Sequence, residues 1–274
     1  MDLPGCRTLL LFSLIACPAF PAVIYSNDTP NNSIGVSTNP SGGGRIEHEA
    51  GDDFVLSTSA LINGATFTGL IPAGTISSVV VEIYRVFPAD SGPFDNKVPT
   101  RVNSPSDVAL DSRDSSSSTL TFTTDVLAGS FATLNSVVNV PTTAPFATNG
   151  DGPRTGQEVR FTVSFTTPFS LTDGHYFFVP QVELSSGNTF LWLSANRPVA
   201  VPPGNTDLQA WTRDANLDPD WLRVGTDIIG GTTPPTFNLA FSLDGTNVPE
   251  PSSLSLILCG LGLVAWSSRR KLVD

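Results

Sequence analysis

Oxygen-bearing side chains recur at every second position in Asp214-Ala215-Asn216-Leu217-Asp218-Pro219-Asp220. A looping backbone could turn several such hard ligands inward, as calcium requires. The run departs from an EF-hand twice, because Pro219 stands where the turn glycine should be and Gly225 where the bidentate glutamate should be. An EF-hand is excluded. An irregular structural calcium loop and a plain acidic turn remain, and calcium is the one cofactor the sequence suggests. If it binds, it should raise the melting temperature.

The two histidines carry less. His48 lies in Glu47-His48-Glu49, four residues before Asp52-Asp53, and an imidazole among carboxylates can hold a metal. No second histidine is near and the segment follows three glycines, so a solvated acidic loop is expected. His175 follows Asp173-Gly174 at a strand entry, and no Gly-x-Ser-x-Gly elbow accompanies it. The expectation is a non-catalytic chain. Trp192, Trp211 and Trp221 offer flat indoles that could stack on a sugar ring, which makes a carbohydrate-binding module the second reading; packing in a core is the commoner use of such side chains.

The elements that must position these groups read as strands. Val159, Phe161, Val163 and Phe165 alternate with Arg160, Thr162 and Ser164, the pattern of a strand with one buried face. Its hairpin partner is expected at Tyr176–Val179, continuing to Leu184, with Phe190–Leu193 pairing onward. Ile76–Phe87 is apolar on both faces and reads as a central strand. Further strands are expected at Val23–Asn27, Asp52–Leu56, Leu120–Thr123, Phe131–Val140 and Phe237–Leu243, and three short ones flank turns at Asn63-Gly64 and Ala73-Gly74. Residues 28–44, 88–118 and 141–153 read as loops, the second a mobile excursion. No run of ten residues in the body reads as a helix, and no repeat of fixed period appears. An all-β, jelly-roll-like β-sandwich follows.

Composition agrees. The 274 residues are 40% hydrophobic and 14% charged, with 23 Gly and 23 Pro, a balance that favours strands and turns over helical bundles. The net charge is −11; Asp2 offsets Arg7 before residue 23, and the three terminal bases exceed Glu250 and Asp274 by one, leaving −12 on the body. Such a surface repels phosphate backbones and anionic lipid heads, so no nucleic-acid partner is expected. Cys6, Cys17 and Cys259 all lie outside the body, which therefore has no disulfide and no thiol chemistry.

The termini carry addresses. Arg7, the apolar run from Leu9 to Ala16 and small or turn residues to Ala22 look like a secretory signal peptide over 1–22; Leu14-Ile15-Ala16-Cys17 also resembles a lipobox, with Cys17 as the lipidated residue. At the other end stand Val248-Pro249-Glu250-Pro251, an apolar run from Leu254 to Trp266, and Arg269-Arg270-Lys271. The 18 uncharged residues between Glu250 and Arg269 would rise roughly 27 Å as a helix, close to a hydrocarbon core of about 30 Å, and bases favour its cytoplasmic end. Prolines on both sides of Glu250 keep the approach extended and readable by an enzyme's cleft.

These three blocks over 248–274, with the body between them and the signal peptide at 23–247, resemble the PEP-CTERM sorting signal of bacterial exported proteins. The resemblance covers about a tenth of the chain. It implies a membrane-embedded exosortase as partner, recognition of Pro249, Glu250 and Pro251, a transient membrane stay through a C-terminal transmembrane helix, and release or transfer of the body to the cell surface or matrix. It further implies a Gram-negative host whose envelope makes exopolysaccharide, a biofilm component the body could meet.

Overall fold

The computed structural model describes residues 22–42, 44–90, 98, 100–185, 187–197, 199–248 and 260–261. Residues 1–21 of the expected signal peptide lie outside that range. In chain order the strands are β1 (Ala22–Asn27), β2 (Pro30–Ser37), β3 (His48–Leu56), β4 (Ala60–Ile71), β5 (Ile76–Arg85), β6 (Asp111–Asp114), β7 (Leu120–Thr133) and β8 (Asn135–Val137). Then come β9 (Arg154–Leu171), β10 (Gly174–Leu184), β11 (Leu191–Ala195), β12 (Trp211–Asp214), β13 (Leu222–Arg223), β14 (Asn238–Leu239) and β15 (Phe241–Asn247). Within the described body the helical element is one π-helical turn, Val224–Ile229.

The strands form two sheets. One runs β1-β15-β4-β11-β2-β8, with β14 on β11 and with β9 joining β4 to β7; the other runs β13-β12-β3-β10-β5-β6. Between them lies an apolar core. Phe178 of β10 stacks on Phe241 of β15 with centroids 4.9 Å apart, and Trp192 of β11 meets both edge-on at 5.9 and 5.8 Å. The Trp192 indole donates to the Ala240 carbonyl at 2.9 Å, so its one polar atom is satisfied inside. The expected all-β, two-sheet architecture holds, with nine strands in one sheet and six in the other.

Local expectations hold unevenly. The alternating strand at Val159–Phe165 is the centre of the longer β9, but its partners are β4 and β7, whereas β10 lies in the other sheet between β3 and β5. The reason is β10's own sequence. Phe178 faces the inner core while Phe177 and Val179 face the other way, and all three are buried, so the strand needs cover on both sides. Leu191–Ala195 likewise pairs with β2, β4 and β14 rather than with β10.

The turn expected at Asn63-Gly64 is instead a kink inside β4. The register slips between Ile62 and Gly64, and a Cβ on Gly64 would stand 2.6 Å from the Val163 carbonyl oxygen. Glycine there lets β9 come close without ending the strand. The turn at Ala73-Gly74 does separate β4 from β5, with Gly74 at φ 102°. Residues 28–44 contain the unforeseen β2. The described part of the polar stretch 88–118 is not a free excursion: Arg101, Ser104, Ser106 and Asp107 are buried and β6 pairs with β5, because residues 100–110 form a lid on the outer face of the six-stranded sheet, where the Asp107 and Ser106 carbonyls accept from Arg213 and Trp221.

Candidate functional site

On that outer face the side chains of alternate residues converge from four strands. β12 sets Arg213 opposite Glu49 of β3, and β10 sets Val179 opposite Glu82 of β5; Tyr84 projects two residues beyond Glu82. Carboxylate oxygens of Glu47, Glu49 and Glu82 lie within 4.8 Å of one another, the one such group of three metal-ligating residue types among the described residues. Tyr84 donates its one hydroxyl proton to Glu49 at 2.5 Å, and a Glu82 carboxyl oxygen lies 3.0 Å from the same hydroxyl. Gln181 donates to Glu47 at 2.9 Å, and the Arg213 guanidinium pairs with Glu49 through Nε.

The electrostatics follow from crowding. Burial, and then the Glu49 charge, push Glu82 from 4.5 up to about 7. The same two causes raise Glu47. Burial drives Tyr84 far above its ordinary range, so its proton stays in place. Three carboxylates facing one guanidinium leave an excess of negative charge, and a shared proton relieves it. An aromatic shelf supports the network: Trp221 packs edge-on against Tyr84 at 5.4 Å and its ring lies 4.4 Å under the Arg213 guanidinium.

The sequence candidates are distributed across this shelf rather than gathered into a site. Asp214 accepts the backbone N–H groups of Asn216 and Leu217, both at 2.9 Å, which makes it the cap of a turn. Asp218 accepts from Arg213 at 2.6 Å, and buried Asp220 pairs with Arg101 at 2.7 Å. Alternate spacing thus sends the carboxylates to separate arginines and to a turn that follows β12. Trp192, Trp211 and Trp221 are 0%, 2% and 1% exposed. Each indole is packed, Trp192 between the sheets and the other two in the cluster on the outer face of the six-stranded sheet.

The acidic run at Glu47–Asp53 is corrected as well. It is not a solvated loop, since Glu49, Asp52 and Asp53 are buried within β3. Asp53 meets the His175 ring nitrogen Nε2 at 2.5 Å and accepts the Leu208 N–H at 3.0 Å, while Asp52 accepts the Leu239 N–H at 2.9 Å. His48 is held by the Ser37 hydroxyl at 3.0 Å, and burial lowers its pKa. A histidine oriented by a buried aspartate is two parts of a triad; the nearby Thr172 hydroxyl is bonded to Tyr176 at 3.1 Å. Glu82 was missed from sequence. Its signal was a lone acid between Val81 and Ile83 in a run otherwise read as core.

The last strand leads out to the tail. β15 is held by β1 on one side and β4 on the other, and the Val248 N–H still donates to the Ser59 carbonyl at 2.8 Å. Val248 is exposed, so the chain leaves the sheet at the surface. Pro249, Glu250, Pro251, Arg269, Arg270 and Lys271 lie outside the described residues, as does the apolar run except for helical Gly260 and Leu261. Among the described residues no helix is long and apolar enough to cross a membrane. No curated protein and no solved structure matches the chain. The family described as the PEP-CTERM protein-sorting motif matches residues 247–271. From the end of β15 onward, the chain therefore carries the PEP-CTERM sorting motif of exosortase-sorted exported proteins.

Proposed function

We propose that this is a non-catalytic β-sandwich protein of the cell surface or extracellular matrix, delivered by an exosortase that reads Pro249-Glu250-Pro251 and removes the segment beyond it. The observation that carries the reading is the motif match beginning at Asn247, the last residue of β15. The last described strand ends where the match begins, so cleavage after residue 248 would take no described strand from the core. The non-catalytic part is supported by the outer-face carboxylates being engaged with Tyr84, Gln181 and Arg213. The carbohydrate-binding alternative has lost the three indoles that suggested it.

The test is Glu250→Ala in the producing host, followed by fractionation and intact-mass measurement. The unchanged chain should be recovered short of its C-terminal segment in the surface or medium fraction. The variant should stay full-length in the membrane. Identical processing of both would remove recognition of the motif from the account.

A further inference from the structure

The outermost strands of the two sheets are not alike. β8, β13 and β6 have three, two and four residues, and β6 carries Asp111, Arg113 and Asp114. β1 has six residues and a register slip between Val23 and Tyr25. Short, charged or kinked edges resist pairing with another chain. β7 is different. It has fourteen residues and pairs with β9 alone among the described residues, and its sequence contains no Lys, Arg or Pro. Register slips begin only after Val126, so Leu120–Val126 is a regular run of seven residues. Thr121 and Thr123–Leu127 are exposed on both faces of the strand, with Val126 58% and Leu127 43% accessible.

We propose that this edge is a homodimer interface, in which β7 of one copy adds antiparallel to β7 of a second and joins their large sheets. Charge selects a second copy. The body carries −12, which drives copies apart, yet the β7–β9 ribbon is neutral: Asp125 faces Arg160 in register, and Glu158 and Arg154 balance each other. It is a place where two acidic bodies can meet without like charges opposed. The strand is also self-complementary. Pairing about a two-fold axis at Thr123 uses the whole regular run and sets Val126 beside Leu120 and Asp125 beside Thr121 of the other copy. Each aspartate then finds a hydroxyl, and each exposed valine lies over the position of Leu120, whose own side chain is buried in the core. An axis at Asp125 would oppose two carboxylates. Such a contact is isologous and closes at two chains.

The experiment uses the full chain in mild detergent with Cys6, Cys17 and Cys259 replaced by serine, so that an introduced thiol is the only one. Thr123→Cys places two thiols across the axis, whereas Ser57→Cys sits on an exposed turn between β3 and β4. With copper phenanthroline and air as oxidant, two thiols lose two electrons and two protons to oxygen and form one disulfide. Thr123→Cys should crosslink to a dimer roughly tenfold faster than Ser57→Cys, as a high effective concentration requires. Adding Val126→Lys, which puts a cation on each edge, should bring the rate down to that of Ser57→Cys. Equal rates at the two cysteines would overturn the proposal, since association through the tail raises both alike. So would a fast Thr123→Cys crosslink that ignores Val126→Lys.

Discussion

Phe177 and Phe178 are adjacent in β10 and end in opposite chemistries. Phe178 enters a core of rings, stacked on Phe241 and edge-on to Trp192. Phe177 points to the other face of the same sheet, where Tyr84, Trp211 and Trp221 share their space with Glu47, Glu49, Glu82 and Arg213. Both faces bury their rings, and the outer one leaves Glu47 and Glu82 half-buried. The inner one is held chiefly by area removed from water, which is indifferent to pH; the acid on it is buried Asp52, opposite Phe178 in register and held by the Leu239 N–H. The outer one is held by charges whose desolvation must be offset by exact pairing, and so it depends on protonation. One sheet thus joins a robust interface to a conditional one.

The largest effect should come from breaking the inner face. Phe178→Ala removes a ring 0% exposed that touches Phe67, Trp192 and Phe241, and should cost about 3–5 kcal/mol of unfolding free energy. Urea unfolding at pH 5 and pH 8 should give the same loss at both. A loss that differs strongly between the two would mean that the inner face is also tied to titration and the contrast is false.

The two faces were not equally legible in the sequence. Val159, Phe161, Val163 and Phe165 announce an inner face through period-two alternation, and so do Phe237, Leu239, Phe241 and Leu243. The outer face hides because its buried residues are polar: Glu47, Glu49 and Asp53 sit in runs with the composition of a loop, and residues 100–110, which cover part of that face, have it too. Polarity reports contact with water only where no partner is available, and here Arg101, Arg213, Tyr84 and His175 are the partners. Those pairings span up to 164 residues of chain, a range that no local pattern encodes. Sheet membership of β10 was hidden for the same reason, since a two-residue connection from β9 reads as a hairpin until the burial of Phe177 is known. The sorting tail, by contrast, is a linear signal and is readable without any fold.

A smaller effect than the inner truncation is expected from Arg213→Met. It keeps the aliphatic bulk over Trp221 but takes away the positive charge that Glu49 and Asp218 face. The cost should be about 3 kcal/mol at pH 8, where neighbouring Glu82 is ionised, and clearly less at pH 5, where Glu82 holds a proton and the cluster carries less negative charge. Paired urea titrations read the difference. An equal cost at both values would mean that Arg213 contributes packing only, and the outer face would then resemble the inner one.

The smallest and most selective change is Glu82→Gln. Glu82 is pushed from 4.5 up to about 7 by burial and by Glu49, so between those values the folded chain holds a proton that the unfolded chain releases. Stability from this group is therefore full below about pH 4.5 and is lost as pH rises to about 7. Glutamine cannot ionise and keeps the neutral form's shape. The variant should match the parent at pH 4.5 and exceed it by about 2 kcal/mol at pH 8, less than the full shift implies because neighbouring Glu47, also raised, takes up part of the proton. Glu47, Asp52 and Asp53, also raised by burial, leave a residual slope of the same sign in both proteins, and His48, lowered by burial, opposes it below about 6.5. The difference between the two unfolding curves isolates Glu82. A difference that stays flat from pH 4.5 to 8 would show that Tyr84 and Arg213 satisfy the carboxylate as an anion, and that no proton is shared on this face.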